Sequence, residues 1–291
     1  MKKLLITGAS GFLGWNLCHI ARKEWDICGT TFSHALDIPG VTTRSLDLRD
    51  FEALKQLFAE VKPDAVIHAA ACSKPNYCQT HPNEAYGMNV TVTRNIAGLC
   101  ADAEIPCVFT STDLIFDGLN APYKETHSPN PICIYGEQKV IAEESARSRY
   151  PKIAICRMPV MFGLPSPASP SFLQGFIRTL REGKEIALFT DEYRSSVSAS
   201  TAAKGLLLAL EKAKGTIHLG GKERLSRYDF GRLMAEVLEL PSTGIKACLQ
   251  KDVKMPAPRP SDVSLDSSKA FDLGYNPPLI REELEQLKGK V

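Results

Sequence analysis

Lys3-Leu4-Leu5-Ile6-Thr7-Gly8-Ala9-Ser10-Gly11-Phe12-Leu13-Gly14 decides how the chain is read. Lys3 to Thr7 is an apolar run of strand length, and Trp15 to Lys23 has helical spacing. The three glycines therefore occupy a strand–turn–helix, the context in which such a turn admits a dinucleotide. Gly8 permits a sharp exit from the strand, and Gly11 has no side chain to hold a pyrophosphate off the backbone. Gly14 lets the helix pack closely. Free N–H groups along Ser10, Phe12 and Leu13 face the phosphates.

Outward from this turn, strands and helices alternate. Strands are expected at 25–31, 43–46, 64–68, 106–110 and 152–157, with helices over 51–61, 83–103 and 134–148 between them. That alternation predicts an α/β fold, a Rossmann-type doubly wound parallel sheet with right-handed crossovers. The Pro/Ser-rich run Gly163 to Pro170 reads as a crossing into a second, smaller C-terminal domain that binds substrate. The expected division is 1–160 with 192–219 returning to it, against 161–191 and 220–291. In the later part helices are expected over 171–181 and 200–211, at 226–240 with Ser226 as N-cap, and from Pro278 through Leu287. Short strands are expected at 185–189 and 215–219.

The charge balance is nearly even, 35 basic residues against 33 acidic, so neither a nucleic acid nor a membrane surface is an expected partner. No apolar run is long enough to span a bilayer. The nine cysteines include no Cys-x-x-Cys pair and are odd in number, which points to free thiols and a reducing cytoplasm. Cys72 and Cys78, near the expected cofactor crevice, read as buried bystanders. No metal-ligand spacing is present, and a monomer or homodimer is expected.

The second strand ends Thr30-Thr31-Phe32-Ser33-His34 without an acid to bond a ribose 2′-hydroxyl, which leans toward NADP while leaving NAD possible. Ser33 and His34 are candidate donors there, or plain solvated loop residues. Ala69-Ala70-Ala71 ends the fourth strand with side chains small enough for a cofactor to lie across the strand ends. Tyr135 and Lys139, four apart, share a helix face. A nearby ammonium favours the phenolate and lowers a phenol pKa from its ordinary value near ~10. Tyr135 can then protonate a carbonyl oxygen while hydride reaches the carbon, and Lys139 can hold the nicotinamide ribose. Such a pair alone is usually just a solvated helix face; downstream of the glycine turn it reads as catalytic. A hydroxyl at the end of the preceding strand completes the set: Thr112, with Ser111 as the near alternative. An ST-turn closing the strand is the structural reading of the same residues.

The glycine spacing resembles that of extended short-chain dehydrogenases/reductases. Ser111-Thr112-Asp113-Leu114-Ile115-Phe116-Asp117-Gly118 resembles a Ser-Thr-Asp-Tyr-Val-Phe-Asp-Gly segment of the dTDP-4-dehydrorhamnose reductases, and Pro131, Tyr135-Gly136-x-x-Lys139 and Arg259-Pro260 follow in that family's order. The resemblance implies NAD(P)H reduction of the 4-keto group of a nucleotide-linked deoxysugar. It implies Thr112, Tyr135 and Lys139 as the catalytic set, with Thr112 and Asp113 at the sugar. It places Gly11, Phe12, Leu13, Asp47, Leu48, Ala69, Ala70, Ala71 and Thr110 along the cofactor, the Asp47 carboxylate accepting from the adenine amine. Arg194 and Arg259 are candidates for pairing the diphosphate, or for interdomain salt bridges. The chain departs from the family at Val160, where a Trp covers the sugar. It also departs at Asp191 to Val197, which lacks the Gly and Pro of Asp-Gln-x-Gly-x-Pro-Thr. The run Arg259-Pro260-Ser261-Asp262-Val263-Ser264-Leu265-Asp266 also resembles the C-terminal run of the methionine adenosyltransferase β subunit. That resemblance implies an alternative, a non-catalytic NADP-binding regulatory subunit.

Overall fold

The computed structural model describes residues 1–291. Strands β1 (Lys3–Thr7), β2 (Asp26–Thr31), β3 (Val41–Ser45), β4 (Ala65–His68), β5 (Cys107–Thr112) and β6 (Ala154–Met158) follow in order. Short strands β7 (Met161–Phe162), β8 (Ile186–Phe189), β9 (Tyr193–Arg194) and β10 (Val197–Ser198) precede β11 (Gly215–His218). The seven-stranded sheet runs β11-β6-β5-β4-β1-β2-β3, every pairing parallel. Chain order reverses between β1 and β4, so the crevice at their carboxyl ends is the ligand position of such a sheet.

The helices are α1 (Phe12–Ala21), α2 (Phe51–Val61), α3 (Pro75–Thr80), α4 (Pro82–Tyr86), α5 (Val92–Asp102) and α6 (Ile134–Arg149). They continue as α7 (Phe172–Arg181), α8 (Ala199–Lys212), α9 (Arg227–Val237), α10 (Ser268–Asp272) and α11 (Ile280–Glu285). Alternate residues of β1 serve opposite faces of the sheet. Leu4 and Ile6 pack with Leu17 of α1 and Ala202, Ala203 and Leu206 of α8. Leu5 packs with Leu54 of α2, Ile96 of α5 and Ala142 of α6. A third apolar core joins Leu173, Ile177, Leu188, Phe230, Met234, Ile245 and Leu284. Ala270 and Tyr275, late in the chain, belong instead to the first core.

The doubly wound sheet expected from the alternation is present, with four informative differences. Helix α1 starts at Phe12, within the glycine turn rather than after it. The long helix expected over 83–103 is α4 and α5 joined by a π-helical turn at Gly87–Thr91. Among the elements not expected are α3, a strand β13 (Ile245–Cys248) that pairs with β8, and β12 (Leu225–Ser226), which pairs with β9. The last helix starts at Ile280, not Pro278, because the Glu282 carboxylate accepts from the Leu279 N–H at 2.8 Å and fixes Leu279 as the cap. Ser226 caps α9 as expected, accepting from Asp229 N at 2.9 Å.

Candidate active site

The glycine turn is built by steric exclusion. Gly8 has φ +74°, and a Cβ there would stand 2.8 Å from the Ala70 Cα, so the exits of β1 and β4 are in backbone contact. A Cβ on Gly14 would stand 2.1 Å from the Gly8 carbonyl oxygen. Gly14 therefore lets the helix close onto the turn itself, not onto the sheet. Below it, the Thr7 hydroxyl donates to His68 Nδ1 at 2.7 Å and accepts from the N–H groups of Ala69 and Ala70. Thr93 Oγ1 donates to the Asn89 carbonyl and so accepts from His68 Nε2 at 3.0 Å. Both bonds require the neutral Nε2–H tautomer, and burial pushes the imidazole down to about 3. The result is a cleft of about 370 Å³ along the strand ends. Gly8, Ser10, Gly11, Phe12, Leu13, Gly14, Leu48, Ala69, Ala70, Ala71, Thr110, Tyr135 and Lys139 all line it. Two expected residues do not. Ser33 is exposed and hydrogen-bonded to His34 at 2.9 Å. The Asp47 carboxylate is taken by Arg49, at 2.7 to 3.0 Å, rather than turned into the cleft.

Strand β5 reaches Thr112, two residues beyond the expected end, so the rigid sheet carries Ser111 and Thr112 to the crevice. The chain then turns through Asp113–Ile115, where Thr112 Oγ1 accepts from Leu114 N at 3.2 Å. The ST-turn and the position of Thr112 at the crevice thus coexist. A Cβ on Gly136 would stand 2.1 Å from the Leu114 carbonyl oxygen, so the start of α6 lies directly on that turn and brings Tyr135 to Thr112. Lys139 is buried, donates to the Thr110 carbonyl at 2.6 Å and lies 4.2 Å from the Phe109 ring centroid. The expected lowering of the Tyr135 pKa is not found. Burial pushes the phenol up, Cys78 and Asp113 add to the rise, and the Thr112 hydroxyl opposes it.

Burial pushes the Lys139 ammonium down to about 7, against the pull of Glu143. Between that value and the unfolded value of about 10.4, the unfolded chain holds a proton the folded one has released. Stability therefore rises with pH across this window on account of Lys139. In urea titrations from pH 7 to 10, Lys139→Met is expected to remove that upward slope; an unchanged slope would assign it elsewhere.

Beyond Tyr135 lies a second cleft, of about 320 Å³, reached by Ser111, Thr112, Asp113, Val160, Arg194 and Arg259. Arg194 is buried, donates to the carbonyls of Tyr193 and Pro260, and stands 3.7 Å from Asp113 and 3.6 Å from Glu192. Arg259 Nη2 donates to Asn76 Oδ1 at 3.2 Å. Burial pushes the Asp113 carboxyl up to about 6, against the pull of Arg194. Three buried side-chain polar atoms in the whole chain have no hydrogen-bond partner: Ser111 Oγ, Asp113 Oδ2 and Arg259 Nη1. All three residues line this cleft. Buried polar atoms are normally paired, so this clustering singles the cleft out among the surfaces of the chain.

Residues 1–290 match the RmlD substrate binding domain family. The chain belongs to the RmlD family of dTDP-4-dehydrorhamnose reductases. A probable low-salt glycan biosynthesis reductase of Haloferax volcanii is 31% identical over 97% of this chain and 96% of its own length. The methionine adenosyltransferase 2 subunit beta of Xenopus laevis is 29% identical over 94% of this chain and 83% of its own. A hypothetical dTDP-4-dehydrorhamnose reductase from Sulfolobus tokodaii is 33% identical, with TM-score 0.81 over 94% of both chains. The fold is also that of the Bacillus anthracis reductase in complex with NADP, with TM-score 0.88 at 24% identity over 98% of both chains.

In this RmlD-family chain, two charged residues that line the second cleft were passed over by sequence reasoning. Glu192 and Arg227 line the second cleft, joined at 2.8 Å. Nothing local signals them: Arg227 merely follows the Ser226 cap, and Glu192 sits in the stretch where the family's Gly and Pro are missing. Pairing of β9 with β12 brings them together. No helix of the chain is long and apolar enough to cross a membrane.

Proposed function

We propose that this chain reduces the 4-keto group of a nucleotide-linked deoxysugar with NADPH, taking dTDP-4-dehydrorhamnose to dTDP-L-rhamnose. The carrying observation is the convergence of three unpaired buried polar atoms on a cleft that shares Ser111 and Tyr135 with the glycine-turn cleft. A bound nicotinamide dinucleotide supplies hydride to the carbonyl carbon; the glycine cradle, the alanine run and Lys139 fit such a group. The Tyr135 hydroxyl delivers the proton to the carbonyl oxygen as negative charge develops there. Thr112 and Ser111 stabilise that oxygen by donating hydrogen bonds. Asp113 Oδ2 accepts from a sugar hydroxyl, and Arg194 and Arg259 pair with the diphosphate.

Selectivity for NADPH rests on Arg49. No Arg or Lys occupies residues 24 to 43, but parallel pairing of β3 with β2 brings the segment after β3 beside Phe32, a residue of the cofactor cleft. The Arg49 guanidinium stands 5.8 Å from the Phe32 ring centroid. A hydrogen bond to a charged group contributes about 1.5–3 kcal/mol. Arg49→Ala is expected to weaken NADPH binding by about 10- to 100-fold while leaving NADH nearly unchanged, measured by nicotinamide fluorescence titration. Equal losses for both cofactors would refute this role.

The activity itself is tested by following NADPH absorbance with dTDP-4-dehydrorhamnose and identifying the product. Substrate-dependent oxidation to dTDP-L-rhamnose supports the reading. Tight NADPH binding without turnover of this or any related keto sugar favours a regulatory subunit. That second reading draws on the methionine adenosyltransferase β subunit relatives and on the Arg259 to Asp266 run. It requires a stable complex with a methionine adenosyltransferase catalytic subunit.

A further inference from the structure

Two thiols lie in contact beneath the wall between the clefts. Cys78 Sγ donates to the Cys72 carbonyl at 3.2 Å and stands 3.7 Å from Cys72 Sγ. Cys72 is partly exposed, whereas Cys78 is buried with Tyr135 and Cys133 in one small apolar cluster. The Cys72 backbone is clamped by Asn89 of the π-turn, which accepts from its N–H at 2.9 Å and donates to its carbonyl at 3.1 Å. Asn89 also donates to Gln138 of α6, between Tyr135 and Lys139. On either side of Cys72, Ala71 and Ser73 line the cofactor cleft, and Ser73 and Pro75 line the substrate cleft. Helix α3, which carries Cys78, also carries Asn76, the partner of Arg259.

From this geometry we infer that Cys72 and Cys78 form a redox-active dithiol that a peroxide converts to a disulfide, altering the active cleft. Cys72 is the attacking thiol. It is the more exposed sulfur, and hydrogen bonding from Cys78 pulls its pKa down to about 7 while pushing that of Cys78 up. The Cys72 thiolate attacks one peroxide oxygen, the O–O bond breaks, and Cys72 becomes a sulfenic acid as the other oxygen leaves as hydroxide, which takes up the proton the thiol had released and becomes water. Cys78 sulfur then attacks the Cys72 sulfur; the S–S bond forms, the S–O bond breaks, and the departing hydroxyl takes the Cys78 proton as a second water. Two thiols are oxidised to one disulfide and one peroxide is reduced to two waters. The sulfurs must close from 3.7 Å to about 2.0 Å. With Cys72 held at its backbone by Asn89, α3 takes up the movement and Asn76 is drawn off Arg259. The substrate cleft therefore feels the bond more than the cofactor cleft.

The test treats purified full-length protein with hydrogen peroxide and maps thiols by mass spectrometry. The expected product has lost two hydrogens, carries one Cys72–Cys78 bond, and returns to the starting mass with dithiothreitol. Cys78→Ala is expected to stop at a Cys72 sulfenic acid that dimedone captures, and Cys72→Ser to form no bond. On the oxidised wild type, the affinity for dTDP, measured by calorimetry, is expected to fall several-fold while that for NADPH changes little. The mass map stands apart from the proposed reaction; the affinity readout rests on that reading, and a reduced protein that binds no dTDP would overturn the proposed nucleotide, not the dithiol. A bond to Cys133 or another cysteine, both thiols surviving peroxide, or unchanged dTDP affinity after full oxidation would each overturn the inference. If Cys78→Ala fails to fold, the wild-type mass map and dTDP affinity decide the matter alone.

Discussion

Tyr135→Phe is expected to lower kcat for keto-sugar reduction by about 10²–10⁴, the usual contribution of a positioned general acid. The substitution removes one oxygen and leaves the ring, which packs with Cys78, Cys133 and Ala257 at the base of the cleft. Loss of one hydroxyl there is expected to change stability by no more than about 1 kcal/mol. The cofactor cleft keeps its glycine cradle and Lys139, so the NADPH Kd is expected to hold. The phenol is pushed up by burial, so Tyr135 keeps its proton through neutral pH and serves the reductive direction as an acid. Stopped-flow measurement of hydride transfer, with urea melts and NADPH titration on the same preparation, separates these effects. A variant that retains wild-type turnover would remove Tyr135 from the chemistry and shift the assignment to Ser111 or Thr112.

The largest expected effect on stability comes from Glu143→Ala. Tyr135, Lys139 and Glu143 recur every four residues along the buried side of α6. Glu143 accepts from Nη2 and Nε of Arg157 of β6, at 2.8 and 3.1 Å, with both side chains buried. Arg157 also lies 5.4 Å from the Phe116 ring centroid and donates toward His218 Nε2 at 3.5 Å. His218 donates from Nδ1 to the Tyr123 carbonyl, which leaves Nε2 free to accept; burial and Arg157 push the ring down to about 3. Removing the carboxylate leaves a buried guanidinium without its counter-charge, a loss of about 3–5 kcal/mol. That is a large share of the ~5–15 kcal/mol by which most domains are stable. The double variant Glu143→Leu with Arg157→Leu is expected to recover much of the loss, because no unpaired charge remains. Urea midpoints for Glu143→Leu, Arg157→Leu and the double give the coupling directly. An additive cycle would show that the pair does not act as a unit.

What the sequence determined by itself is local. Strand and helix periods, the φ requirement at Gly8 and the missing Cβ atoms at Gly11 and Gly14 are properties of short stretches, and they placed the glycine-turn cleft. The spacing of Tyr135 and Lys139 on one helix is likewise local. Thr112 was singled out because its hydroxyl follows the apolar run Cys107 to Phe109 in the same short stretch. Only the tertiary structure decided the electrostatics and the far wall of the second cleft. Lys139 sits under Thr110 and is pushed down by burial, so the simple expectation of an ammonium lowering the Tyr135 pKa gave way to desolvation of both groups. Arg49 binds the Asp47 carboxylate and also stands beside Phe32, because parallel strand pairing, invisible along the chain, brings residues seventeen positions apart into contact. Glu192 and Arg227 meet through β9 and β12, and Cys72 meets Cys78 through the fold of α3 under the π-turn. Periodicity reports which face of an element is buried; which charges share that burial depends on what packs against it, and that is set by long-range contacts.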